Sequence, residues 1–139
     1  MISQTLCNIF KLNLLKGLED FDPASAQVYK IALYDGFANL GADTTTYTTA
    51  NEVTGGGYIA GGEILTKIAP SLSGSTALVT FNNVTWNPAT FSARCALIYN
   101  ATTNAAVAVL DFGSTKTAGG TFTVTFPAAN ANSAIIRIS

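Results

Sequence analysis

The sequence predicts an all-β fold, an antiparallel β-sandwich of jelly-roll-like or immunoglobulin-like type with one N-terminal α-helix, and three observations carry that reading. Between Thr76 and Phe112, three runs of β-branched and aromatic residues are broken by Asn-Asn, Asn-Pro and Asn-Ala-Thr-Thr-Asn, the punctuation of a β-meander. Thr121 to Phe126 alternates cleanly, with Phe122, Val124 and Phe126 on one face and threonines on the other. Helical spacing of apolar residues is confined to the N-terminal stretch ending at Leu18. A chain of 139 residues suits one domain and buries roughly two-thirds of its unfolded surface. The expected organisation is a helix over 1–18 followed by a sandwich of about seven or eight strands over 27–139.

In chain order, Ser3 is the expected cap of the helix. Cys7, Phe10, Leu14 and Leu18 recur on one face, and Gly17 stands where helices commonly end. Leu6, Ile9, Leu12 and Leu15 make much of the remaining circumference apolar, so this helix needs cover on more than one side, from a sheet or from a neighbouring subunit. Pro23 forbids further helix, and the carboxylates of Glu19, Asp20 and Asp22 are expected to face water. Calcium is not expected there, because an EF-hand-type loop needs more oxygen ligands at regular spacing. Val28 to Tyr34 reads as a half-buried strand, with Tyr29, Ile31 and Leu33 on one side and Lys30 and Tyr34 on the other, ended by Asp35-Gly36.

Phe37 to Gly62 is long, rich in Thr and Gly and poor in large aliphatics. Loops beyond about 15 residues in a compact domain are usually functional or partner-bound, which makes this one a candidate contact surface with Tyr47 and Tyr58 as its tyrosines. Its glycines do not form a phosphate loop: no Gly-Lys-Ser/Thr opens a helix, and strand-like Ile64 to Ile68 follows. Flexibility at a bend accounts for them better. Phe91, Ala93, Cys95, Leu97 and Tyr99 mark a central strand, and Trp86 reads as a core anchor in a strand closed by Asn87-Pro88. Arg94 and Asp111 are placed to pair across strands. Gly113 to Gly120 is an expected turn, and Ala134 to Ile138 a last strand that ties down the C-terminus.

Composition narrows function. Charged residues are 11% of the chain against an apolar share of 48%, so its surface is a neutral skin of Thr, Asn, Ser, Ala and Gly that is cheap to desolvate against another protein. A net charge of −1 with scattered basic residues argues against nucleic acid as a partner. The sequence has no His and no CxxC, so the usual zinc patterns are missing and no cofactor or metal is expected. Cys7 and Cys95 read as small buried hydrophobes. The start lacks a basic leader and a small-residue cleavage pattern, and Lys11 and Lys16 interrupt its apolar run, so neither secretion nor membrane anchoring is expected. Without His, acid–base work would fall to carboxylates such as Glu52 and Glu63 facing each other across a cleft. No catalytic residues are expected.

Several strings resemble a group of small virion structural proteins of tailed bacteriophages: the helix from Ser3 to Gly17, Tyr29-Lys30-Ile31-Ala32-Leu33-Tyr34, Tyr47 to Val53, Gly57-Tyr58, Ala60-Gly61-Gly62, Val84-Thr85-Trp86, Ala93 to Asn100, Val109 to Gly113 and Ile135 to Ile138. The resemblance spans nearly the whole chain and implies a β-sandwich component of the particle, similar to head decoration (cement) proteins. Such proteins bind the major capsid protein on the capsid surface, often as trimers. The residues agree in kind, because neutral area, a helix apolar on several sides and a pliable loop suit a lattice-binding homo-oligomer. The expected contacts are Phe10, Leu14 and Leu18 on the helix and Tyr47 and Tyr58 in the loop. A tail, baseplate or fibre-tip component with a receptor- or carbohydrate-binding role is the alternative.

Overall fold

The computed structural model describes residues 1–139. In chain order its elements are β1 (Thr5–Leu6), α1 (Asn8–Leu15), β2 (Tyr29–Tyr34), β3 (Glu63–Ile64), β4 (Ser71–Ser73), β5 (Thr76–Val79), β6 (Val84–Ala89), β7 (Ser92–Asn100), β8 (Ala105–Thr117), β9 (Gly120–Val124) and β10 (Ile136–Ile138). Strands dominate, every strand pair is antiparallel, and the single helix is N-terminal, so the all-β, sandwich-like class read from the sequence holds. No helix is long and apolar enough to cross a membrane.

The strands form a five-stranded sheet in the order β1-β8-β7-β2-β3, a three-stranded sheet β10-β5-β4 and a two-stranded ribbon β6-β9. One contiguous hydrophobic cluster, from Cys7 to Ile136, lies among them. Aromatic side chains stitch it together. Phe10, Phe21, Tyr29, Phe81 and Phe126 form one chain of ring contacts, and Tyr58, Trp86, Phe91, Phe122 and Phe112 form another. Trp86 is buried as expected, although its indole Nε1 finds no acceptor.

β7 is central, as its apolar residues on both faces require. β2 beside it differs from expectation: Tyr29, Ile31, Ala32, Leu33 and Tyr34 are all fully buried, because the long loop covers the face expected to be wet. The meander is also corrected. β7 and β8 form a hairpin, but β5 pairs with β4 and β10, and β6 pairs with β9. A bulge explains part of this rerouting. From Ala93 to Cys95 β7 advances two residues while its partner on β8 runs from Lys116 to Asp111, and Gly113 takes φ +83 within the excess. β8 therefore runs on to Thr117 through most of the expected turn, and β9 turns back onto β6. The C-terminal strand, β10, is tied to β5 as predicted.

The helix is shorter than 1–18. Met1 to Leu6 are extended, because Ile2 bridges Leu40 and β1 pairs with the edge of β8, so Cys7, not Ser3, is the N-cap. Its end follows expectation. Gly17 at φ +70 allows the Leu18 N–H to donate to the Asn13 carbonyl and its own N–H to the Leu14 carbonyl, the paired bonds of a Schellman motif.

Two glycines of the loop have a more specific role than flexibility. Gly57 and Gly62 have positive φ, and a Cβ on either would overlap the carbonyl of Pro88 or Ile31. They let the loop backbone lie against β6 and β2.

Candidate functional site

The fold leaves an apolar groove open beside the three-stranded sheet, and its walls follow from strand register. Ile136 faces Val79, and Ile138 and Leu72 both face Ala77, so alternate residues of β10, β5 and β4 share one face of the three-stranded sheet. Leu14, on the last turn of α1, and Phe21, beyond the Schellman turn, form the opposite wall. Between them is a groove of about 270 Å³. Its sheet wall runs out into exposed aliphatic residues: Leu72 is 74% exposed and Ile138 57%. Such residues beside a groove are what a protein contact uses, since each loses apolar surface to water until something covers it.

One end of the groove is acidic. Glu19 and Asp20 contribute to its lining, and no Lys or Arg does. Glu19 Oε1 accepts hydrogen bonds from the Tyr29 hydroxyl (2.9 Å) and Asn100 Nδ2 (2.9 Å), while Oε2 is buried without a donor. Burial raises the Glu19 pKa, against which the Asn100 and Tyr29 hydrogen bonds act. The expectation that this acidic trio is simply solvated holds for Asp20 and Asp22, which are exposed, and not for Glu19.

The long loop is organised around Glu52. Its Oε1 accepts from the Tyr47 hydroxyl (2.5 Å), and its Oε2 from the Tyr58 hydroxyl (2.5 Å) and the Gly61 N–H (2.8 Å). Tyr58 in turn accepts from the Leu33 N–H of β2, and Tyr47 stacks on Tyr99, whose hydroxyl donates to the Gly61 carbonyl. Burial, reinforced by the Glu52 charge, raises the pKa of all three tyrosines, Tyr99 to about 12. Both Glu52 oxygens are therefore taken by the chain itself, and Glu63 lies exposed on the edge strand β3. A carboxylate pair across a cleft is not what this loop builds.

A second, polar cleft of about 480 Å³ lies between Met1, Ser3 and residues 39–48. Asp43 and four threonines line it, with no aromatic side chain among the lining residues. Elsewhere Arg94 and Asp111 form the expected ion pair. Cys7 and Cys95 are free and buried, and burial raises both thiols to about 11, as suits core residues.

Of the residues expected to make contacts, Phe10 and Tyr58 are corrected. Phe10 is fully buried against Phe21, and Tyr58 is buried between Trp86 and Phe91 with its hydroxyl on Glu52, so neither side chain is offered to a partner. Tyr47 is half-buried in the same network. Leu14 lines the groove, and Leu18 is exposed just past the helix. Sequence reasoning missed Leu72 and Ile138. Leu72 sits within Pro70-Ser71-Leu72-Ser73-Gly74, whose turn formers hide a three-residue strand; the Ser-Leu-Ser alternation was the available signal. Comparison with protein-family models, curated proteins and solved structures found no match to this chain.

Proposed function

We propose that this chain is a non-enzymatic structural protein of a tailed-bacteriophage virion, which decorates the capsid surface and stabilises it by binding the major capsid protein as a homo-oligomer, a trimer being favoured. The observation that carries the reading is the uncovered aliphatic surface, with Leu72 and Ile138 exposed beside the groove and Leu15 exposed on α1, in a chain of such low charge. Covering it removes apolar area from water and strands few charges. The loop supports the reading too, because the hydrogen bonds of Tyr47 and Tyr58 to Glu52 hold its backbone in place beneath its exposed threonines, and a preorganised loop costs less entropy to dock.

A tail, baseplate or fibre-tip protein that binds a receptor or carbohydrate would have the polar cleft at 39–48 as its site. That cleft lacks an aromatic platform for a sugar ring, which favours decoration.

The test is localisation. Tagged protein should co-sediment with purified heads of the phage that encodes it, and cryo-electron microscopy should show added density at junctions between major capsid subunits. Density confined to the tail overturns the proposal.

A further inference from the structure

We infer that the groove between α1 and the three-stranded sheet receives an extended segment of the partner chain in which alternate residues are aliphatic and the next residue on that same face is a lysine or arginine. The inference rests on the docking reading above and specifies the partner's chemistry.

Three features converge on it. The first is shape and polarity: Leu14, Phe21, Val79, Ile136 and Ile138 give walls that match aliphatic side chains. The second is the outer edge of β10. β10 pairs only with β5, so its far edge has main-chain groups free for another strand. An extended segment added there places every second side chain on the groove face.

The third is charge. Glu19 and Asp20 stand at one end of the groove, and the one ion pair of the chain, Arg94–Asp111, involves neither. Lys67 is engaged elsewhere, donating to the Ser25 and Gln27 carbonyls. Glu19 is held by hydrogen bonds from Tyr29 and Asn100 on one oxygen and has no donor on the other, which is buried, so no cation of the chain pairs with it. A cation seated at this end meets exposed Asp20 directly and lies in the field of Glu19, across a wall whose apolar lining reduces screening. An anionic segment is repelled by the same pair, which gives selectivity of sign.

The probes are two peptides, acetyl-Leu-Thr-Leu-Thr-Lys-Thr-amide, whose leucines and lysine share one face of a strand, and its counterpart with glutamate in place of lysine, titrated into the full chain while methyl and amide resonances are followed by NMR. The expected result is shifts at Leu14, Val79, Ile136 and Ile138, with the lysine peptide binding about fivefold or more tightly than the glutamate peptide. Asp20→Asn and Glu19→Gln should each shrink that ratio while leaving the spectrum of the folded chain in place. Equal binding of the two peptides, no binding, or shifts away from the groove overturns the inference. So does a finding by sedimentation that Ile138→Asp dissociates an oligomer of this chain, because a second copy would then be the occupant. The same variants are carried into co-sedimentation with phage heads. If the peptides fail while heads still bind, the cationic segment alone is refuted. If the peptides behave as expected and heads do not bind, the capsid assignment falls and the groove specificity stands.

Discussion

The two largest sheets treat the same kinds of residue in opposite ways. In the five-stranded sheet, β2, β7 and β8 lie between covering layers, and Ile31, Leu33, Leu97, Ile98, Val107 and Val109 are fully buried. In the three-stranded sheet, Val79 and Ile136 are buried, while Leu72 and Ile138 on the same face project into water. The difference separates apolar residues that hold the fold together from those left over for a partner. Within α1 the division runs along one helix, where Phe10 is buried and Leu15 is 90% exposed. Hydrophobicity alone does not tell them apart; what lies opposite each side chain does.

The comparison is broken most forcefully in the central sheet. Leu97→Ala should destabilise by about 2–5 kcal/mol, because Leu97 is fully buried and the neighbouring strands cannot collapse into the space left. Urea denaturation monitored by Trp86 fluorescence checks it, and a loss below about 1 kcal/mol would mean that this sheet is looser than its burial indicates. Next comes the loop. Glu52→Ala removes the acceptor shared by Tyr47, Tyr58 and the Gly61 N–H, and should cost about 3 kcal/mol, since bonds to a charged acceptor contribute about 1.5–3 kcal/mol each and are not additive. Glu52→Gln should recover part of that loss. Proteolysis should then cut first between residues 47 and 62, a region that has no strand of its own to hold it.

Legibility in the sequence follows the same division. Strand character, the central place of β7, the Trp86 anchor, the Arg94–Asp111 pair and the stop at Gly17 are local consequences of side-chain period and glycine chemistry, and all were readable. Strand partnership was not, because it is set by which segments return after a long loop or a bulge: nothing in Phe112-Gly113-Ser114-Thr115 announces the extra residues that send β9 to β6. The groove depended on that partnership. Leu14 was named from its helical face, but Ile138 and Leu72 become its neighbours only once β10 and β4 flank β5. Glu52 as a hub was equally hidden, since its donors are set in place by Gly57 and Gly62 lying against other strands.

A smaller effect sharpens the comparison at the acidic end of the groove. Burial raises the Glu19 pKa in the folded chain above its ordinary value. The unfolded chain therefore releases this proton first as pH rises, and the folded chain gives it up only at higher pH. The stability that Glu19 contributes is complete below the ordinary carboxylate range and is lost as pH climbs through the folded value. Glu19→Gln removes that loss, so its melting temperature relative to wild type should be higher at pH 7 than at pH 4. A difference that is constant with pH, or of opposite sign, would show that the hydrogen bonds from Tyr29 and Asn100 outweigh burial.

The smallest change in stability is expected where the largest change in docking is. Leu72 is 74% exposed on the edge strand β4, so Leu72→Ser withdraws little side-chain area from any packed neighbour and should shift unfolding free energy by no more than about 0.5 kcal/mol. Its row, however, runs through Ala77 to Ile138, and a partner that covers the groove extends over that row. Loss of one exposed leucine from a covered face removes about 1.5–3 kcal/mol of apolar burial, or roughly tenfold or more in affinity for phage heads. Paired measurements on Leu72→Ser and Leu97→Ala should therefore dissociate: one variant folds normally and docks poorly, and the other loses stability. If Leu72→Ser left docking unchanged while Leu15→Ser weakened it, the contact would lie on the outer face of α1, and the small sheet would be a bystander. If instead Leu72→Ser unfolded the chain, β4 would be part of the core and the division between the two sheets would not hold.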